Sequence, residues 1–314
     1  MEQKKIAHLI QVPFTGLGLY NGFRGNRWLR NRIQIFKQFV IPSLKTQTDQ
    51  DFILWIAWRR EERFNKQVQE FKKYLENKFQ KVVFTFSGCP IYDDKYSDLQ
   101  AYKRLVEALH GSMGELINIM GEADIVLLTL QPSDDLYSKD VFKGIKAIFK
   151  ETDYEAFGFE KGYIMNYKTL EVSDYNPTTN PPFYTIKFDK KIFIEPLKHI
   201  QYISLKKDIG KYKAGTPIPS HEYVKDCLKY GTIRDRSFIV GCHGENISTF
   251  YDHPFKGEQH LGTREILNNF GLENAEALKL KFSLRKWILR KLPHKARRKL
   301  RYWWGEKIYN FLRA

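Results

Sequence analysis

The chain has 314 residues, of which 42% are hydrophobic and 15% aromatic, with 52 Lys and Arg against 36 Asp and Glu. This composition excludes a disordered or low-complexity chain, and the length gives room for one large domain or two modest ones with a buried core. The formal charge of +16 is concentrated at one end, because residues 281–314 hold twelve Lys or Arg and a single acid, Glu306.

Three widely spaced cysteines, Cys89, Cys227 and Cys242, argue against a disulfide framework or a C-x-x-C zinc site. No apolar stretch approaches the ~20 residues of a membrane span, and the opening residues lack a signal-peptide core. The expectation is a reducing, cytoplasmic location.

In chain order, "IAHLIQV" (6–12) reads as a buried strand, and residues 26–44 follow with Trp28, Leu29, Ile33, Phe36 and Val40 at helical spacing. Strands at 51–58 and 81–87 flank a solvated helix over 60–79. A helical stretch over 98–120, with Gly111 and Gly114 as candidate breaks, leads into a strand at 124–130. Strands alternating with helices predict βαβ units and a mainly parallel sheet. Beyond residue 150 the pattern becomes irregular. A hairpin is expected near 159–175, strands at "PPFYTIKF" and "KKIFIEP", a short helix capped by Ser220, and a strand ending at Cys242. The predicted organisation is a single α/β domain over 1–280, its sheet flanked by helices, and a basic amphipathic helical tail over 281–314.

The sharpest chemical feature is "LLTLQPSDDLY", which sets Asp134 and Asp135 side by side just after an apolar strand. Adjacent carboxylates repel unless water or a cation offsets them, and open parallel sheets bind ligands beyond the carboxyl ends of their strands. Two readings stand: a divalent cation held with substrate phosphates, or a helix cap at Asp134 with Asp135 facing water.

Other candidates are weighed the same way. Gly16, Gly18 and Gly22 miss the G-x-G-x-x-G spacing, and no acid stands at the required distance, so a dinucleotide fingerprint is rejected. Arg24, Arg27 and Arg30 offer forked donors for phosphate or are solvated helix residues. His243 is either a hydrogen-bonded turn residue or a third metal ligand, with Glu245 and Asn246 as supporting partners. His221 and Glu222, in a predicted first helical turn, suit a general base or simply the helix dipole. In the tail, Leu300, Trp303, Trp304, Ile308, Phe311 and Leu312 group on one helical face, with Arg297, Arg298, Lys299 and Arg301 supplying charge. This favours an anionic membrane surface over nucleic acid or packing on the protein's own core.

Taken together, "RWLRNRIQIFKQFVIPSLKTQTDQDFILWIAW", "LLTLQPSDDLYSKDVF", "NPPFYTIKF" and "VGCHGENIST" resemble the rhamnosyltransferase group of bacterial glycosyltransferases with the GT-A fold. The resemblance covers roughly residues 5 to 250. It implies a GT-A-like domain in which Ser133, Asp134 and Asp135 stand at the D-x-D metal motif, with Ser133 replacing its first carboxylate. It further implies His243 as the ligand completing a Mn²⁺ or Mg²⁺ site, and a base near Glu222 or His221. The donor diphosphate would meet Ser133, Asp134, Arg24 and Arg27. The expected partners are a nucleotide-sugar donor, a glycan or lipid-linked saccharide acceptor, and an anionic membrane that keeps the enzyme peripheral on the inner face of the cell membrane. The competing readings are a non-catalytic membrane- or RNA-binding protein with a degenerate transferase core, and a metal-dependent phosphohydrolase.

Overall fold

A computed structural model describes residues 4–16, 25–88, 98–178, 181–195, 224–244, 251–261 and 263–279. The first half alternates as expected: β1 (Ile6–Val12), α1 (Asn26–Ile35), α2 (Ile41–Thr46), β2 (Ile53–Arg59), α3 (Lys66–Glu76), β3 (Val82–Gly88), α4 (Asp98–Met120) and β4 (Ile125–Leu130). Parallel pairs β3–β2, β2–β1 and β1–β4 form one side of a seven-stranded sheet. The sheet continues through β9 (Tyr184–Asp189), antiparallel to both its neighbours, to β6 (Ala156–Phe159) and β10 (Tyr230–Ile233). The chain leaves β1 in one direction for β2 and reaches β4 on the other side, so the carboxyl ends of β1 and β4 border the crevice where such sheets bind ligands.

A second, five-stranded sheet was not foreseen. It comprises β5 (Leu136–Tyr137), β7 (Gly162–Asn166), β8 (Glu171–Tyr175), β11 (Phe238–Cys242) and β12 (Lys256–His260), in the order β12-β8-β7-β11-β5. The expected hairpin is the β7–β8 pair. The remaining helices are α5 (Val141–Glu151), α6 (Lys190–Phe193), α7 (Val224–Cys227) and α8 (Thr263–Asn269). The α/β architecture with a largely parallel sheet is as expected. The tail and the Ser220 cap lie outside the described residues.

Two local expectations are corrected. "KKIFIEP" begins as the helical turn α6, because the Asp189 carboxylate accepts the Lys191 N–H at 2.8 Å and caps it. Gly111 and Gly114 do not break α4: a Cβ on Gly111 would sit 2.7 Å from the Ser87 Cβ, so this glycine serves close packing of helix on strand. Pro42 falls within the helical stretch expected over 26–44 and does not end it. A π-turn over Phe36–Val40, with the Ile41 N–H reaching the Phe36 carbonyl, widens the backbone just ahead of it, and α2 then runs on. A proline in a regular helix would collide with the carbonyl four residues back, and the wider turn relieves this.

The core lies where α4 covers the sheet. Leu109, Met113 and Leu116 pack with Leu9, Trp55, Val126 and Phe188. Burying each such side chain stabilises the fold by roughly 1.5–3 kcal/mol.

Candidate active site

The acidic pair sits where the chain crosses between the sheets. After β4, the Gln131 N–H still bonds the Gln11 carbonyl at 2.8 Å, so the sheet register persists to the last residue before Pro132. The chain then turns, and β5 joins the second sheet against β11. Asp134 and Asp135 therefore lie between the carboxyl end of β4 and the end of β11, where His243 follows Cys242. Gly241 permits this approach: a Cβ there would lie 2.1 Å from the Asp134 carbonyl oxygen and 2.5 Å from the Tyr167 ring.

The two carboxylates face different partners. Asp134 Oδ2 takes Arg32 Nη1 at 2.6 Å and lies 3.0 Å from His243 Nε2. Arg32 and His243 are buried, at 2% and 1% exposure. Burial alone would raise the Asp134 pKa, but the Arg32 charge and the His243 hydrogen bond outweigh it and hold the carboxyl below the ordinary carboxylate range. Asp135 Oδ1 accepts the Gly241 N–H at 2.9 Å. Burial, and then the neighbouring Asp134 charge, push the Asp135 pKa well up. The pair avoids its own repulsion by dividing roles, one carboxyl ionised against a guanidinium and the other inclined to hold its proton.

Asp134 is not a helix cap, since Asp140 occupies the N-cap position of α5. Ser133 is buried beside the pair, and Arg27 is exposed in the first turn of α1. Arg24, His221, Glu222, Glu245 and Asn246 lie outside the described residues.

The supporting structure comes from the stretch "IPSLKTQTDQDF". Gln47, 3% exposed, donates from Nε2 to the Ser138 carbonyl at 2.8 Å and accepts the Phe142 N–H on Oε1 at 3.2 Å. Ser43 Oγ donates to the Tyr137 carbonyl at 2.7 Å, and the Thr48 N–H bonds the Lys139 carbonyl at 2.7 Å. Gln50 Nε2 donates to the Gln47 carbonyl at 2.7 Å, at the end of α2. The segment is thus a clamp on the backbone that follows the acidic pair. The π-turn contributes as well, placing Phe39 flat on Tyr167 with ring centroids 3.8 Å apart, while the Tyr167 hydroxyl donates to the Asp134 carbonyl at 2.8 Å.

Two features escaped the sequence reading. Arg32 is one, although its position gives a signal: it falls four residues after Trp28 and four before Phe36, inside the buried helical stripe. The other is a buried Thr15–Glu62–Arg59 knot at the carboxyl ends of β1 and β2. There the Thr15 hydroxyl donates to Glu62 and Arg59 Nε donates to the Thr15 carbonyl at 3.1 Å. Burial raises the Glu62 pKa despite these donors.

Among the described residues, the donor set does not fit a resident divalent cation. Such an ion takes several oxygen ligands. Here the Asp134 oxygen that meets His243 already carries a guanidinium, and Asp135 is turned onto a strand N–H. Among the described residues, no group of three His, Cys, Asp or Glu is arranged to hold a metal.

Residues 23–80 match the model of the family described as "Putative rhamnosyl transferase". No curated protein sequence matches the chain. Among solved structures, residues 1–349 of TarS from S. aureus align at 12% identity and a TM-score of 0.38, over 76% of this chain and 60% of that one. The same protein in complex with UDP-GlcNAc aligns at 13% identity and a TM-score of 0.38, over 93% and 77% of the two chains. A "putative nucleotide-diphospho-sugar transferase" from Desulfovibrio desulfuricans G20 aligns at 14% identity and a TM-score of 0.34, over 73% and 79%. The chain spans 60% of the first of these structures. At such TM-scores the likeness defines neither fold nor activity.

Proposed function

We propose that the protein is a glycosyltransferase that moves a sugar from a nucleotide-diphosphate donor to a glycan or lipid-linked acceptor. One observation carries this reading. The segment that matches the rhamnosyltransferase family supplies both Arg32 on Asp134 and the Gln47 clamp behind it, so the matched residues converge on the acidic pair in the sheet's binding crevice.

The chemistry follows from what borders that crevice. The donor diphosphate is placed at the start of α1, where Gly25 offers no side-chain cap, no acid stands in the first turn, and Arg27 is exposed. Uncapped N–H groups and the helix dipole favour anions there, and Arg24 adds a forked donor. The partly exposed Asp134, held by buried Arg32 and His243, fixes the crevice wall, and the fixed dipoles of this unit stabilise charge as the diphosphate leaves. The acceptor hydroxyl attacks the anomeric carbon, and His221 or Glu222 is assigned as its base. The basic tail, residues 281–314, would hold the enzyme on an anionic membrane. Rhamnose as the transferred sugar is supported by the family's description alone.

Calorimetric titration with UDP, GDP and dTDP tests the reading. Saturable binding of one nucleotide, weakened at least about tenfold in Asp134→Asn, supports it. A folded protein that binds none of them, in EDTA or in Mn²⁺, would return the chain to the class of non-catalytic binding proteins.

A further inference from the structure

We infer that Arg32 takes the place of a divalent cation at the acidic pair, so that this site binds a nucleotide diphosphate without a metal. The inference rests on the transferase reading for the identity of the ligand, whereas the charge arrangement stands on geometry alone.

A metal at paired carboxylates has two tasks. It cancels their repulsion toward each other and toward an incoming diphosphate, and it fixes their orientation. Both tasks are already done by protein groups. Arg32 Nη1 lies 2.6 Å from Asp134 Oδ2, and the Arg32 guanidinium sits 5.4 Å from the centre of the Trp28 ring, within the apolar stripe of α1. A guanidinium keeps its charge at every working pH. It is also tethered, so it cannot exchange with solvent as an ion does. Asp135 is oriented by the Gly241 N–H on Oδ1, and the Gln131 side-chain amide donates to its backbone carbonyl at 2.7 Å.

A divalent ion arriving at Asp134 would have to share one carboxylate oxygen with the guanidinium, or displace it. Sharing sets like charges a few ångströms apart in a buried place, where Coulomb repulsion is least screened. Displacement takes an arginine that is 2% exposed off this carboxylate, at the cost of breaking a buried ion pair. Removing the guanidinium should therefore create a metal site, with Asp134 and His243, now 3.0 Å apart, as its first two ligands.

The test uses Mn²⁺ alone, followed by electron paramagnetic resonance, on wild type, Arg32→Met, and Arg32→Met combined with Asp134→Ala. The expected result is no saturable binding by wild type up to about 1 mM, binding at least about tenfold tighter in Arg32→Met, and loss of that gain in the double variant. Saturable wild-type binding that disappears in Asp134→Asn would overturn the inference. So would a folded Arg32→Met that gains nothing. If Arg32→Met does not fold, UDP, GDP and dTDP titrations of wild type decide the matter. Affinities in EDTA and Mn²⁺ that agree within about twofold support a metal-free site, and a gain of about tenfold with Mn²⁺ overturns it. Failure of every nucleotide to bind overturns the transferase reading, while the Mn²⁺ titration still decides the role of Arg32.

Discussion

Two regions of this molecule gather the same three residue types around one aspartate, on a single carboxylate oxygen of Asp134 and on both oxygens of Asp174. In the crevice, Asp134 is held between Arg32 at 2.6 Å and His243 at 3.0 Å. On the second sheet, Asp174 is held between Arg236 at 2.7 Å and His260 at 2.7 Å. The contact distances barely differ, but the surroundings do. Arg32 and His243 are sealed from water, whereas the Arg236 and His260 side chains keep 21% and 31% exposure. Water can replace a lost partner of Arg236 and His260 and has little access to Arg32 and His243, although the two carboxylates are similarly exposed, at 15% and 19%. The same residue types therefore make a costly, orienting device in one place and a weakly stabilising surface cluster in the other.

The sharpest way to break this comparison is Asp134→Ala. It leaves a guanidinium buried without its carboxylate, and the expected loss is about 3–5 kcal/mol in urea unfolding. Nucleotide affinity should fall with it. If Asp134→Ala and Asp174→Ala destabilise equally, burial is not what separates the two clusters.

Next in size is Gly241→Ala. Its Cβ would overlap both the Asp134 carbonyl and the Tyr167 ring, and overpacking of this kind costs typically about 1–3 kcal/mol. Because the intruding atom meets the Asp134 backbone, nucleotide binding should weaken in variant protein that is still fully folded, as judged by circular dichroism. Unchanged stability and unchanged binding together would show that the crossing between the sheets is looser than drawn.

A second buried imidazole sharpens the same point, because it is held by a hydroxyl in place of a carboxylate. His8 is 1% exposed inside β1, with Nε2 2.7 Å from Thr129 Oγ1. Burial first, and then the charge of Lys146, push its pKa down to about 3 from the ordinary 6.5. The sign follows from proton counting. Below pH 6.5 the unfolded chain takes up a proton at this residue while the folded chain does not, so stability falls as pH falls. The slope approaches about 1.4 kcal/mol per unit between those two pKa values. In His8→Leu that part of the acid slope should be absent from unfolding curves measured between pH 6.5 and 4. An identical slope in the variant would place the titration elsewhere.

The sequence made the β1–β4 half readable because its strands and helices carry clean periods, as in "ILWIAWR" and the α3 stripe of Val68, Phe71 and Leu75. The second sheet was harder, since its strands are five residues long, or two in β5, and pair across large separations, as β5 does with β11. In the site, Asp134 and His243 stood out as residue types at strand ends, and the fold brings them together. Arg32 did not stand out, because an arginine in a helix is read as solvated by habit. Only its phase with Trp28 and Phe36 marks it as buried. Gln47 sits in a stretch quoted above only for its resemblance, and its partners are carbonyls ninety and ninety-one positions away. Distant backbone partners of this sort leave no local pattern.

The smallest expected effect is the one that completes the comparison. Asp174→Ala removes the partner of Arg236 and His260, yet Arg236 keeps its bond to the Gly162 carbonyl at 2.7 Å and one to Asn176 Oδ1 at 3.0 Å. The guanidinium also stands 5.7 Å from the centre of the Tyr163 ring and remains partly in water. The loss should be no more than about 1 kcal/mol. It should shrink further in 0.5 M salt, because a partly exposed pair is screened by ions that the buried pair excludes. Urea titrations of Asp174→Ala and Asp134→Ala at low and high salt measure this directly. A salt-sensitive Asp174 effect beside a salt-insensitive Asp134 effect would mean that the two clusters differ by their exclusion of water, whereas a matching salt response would mean that water and ions reach Asp134 as freely as they reach the surface.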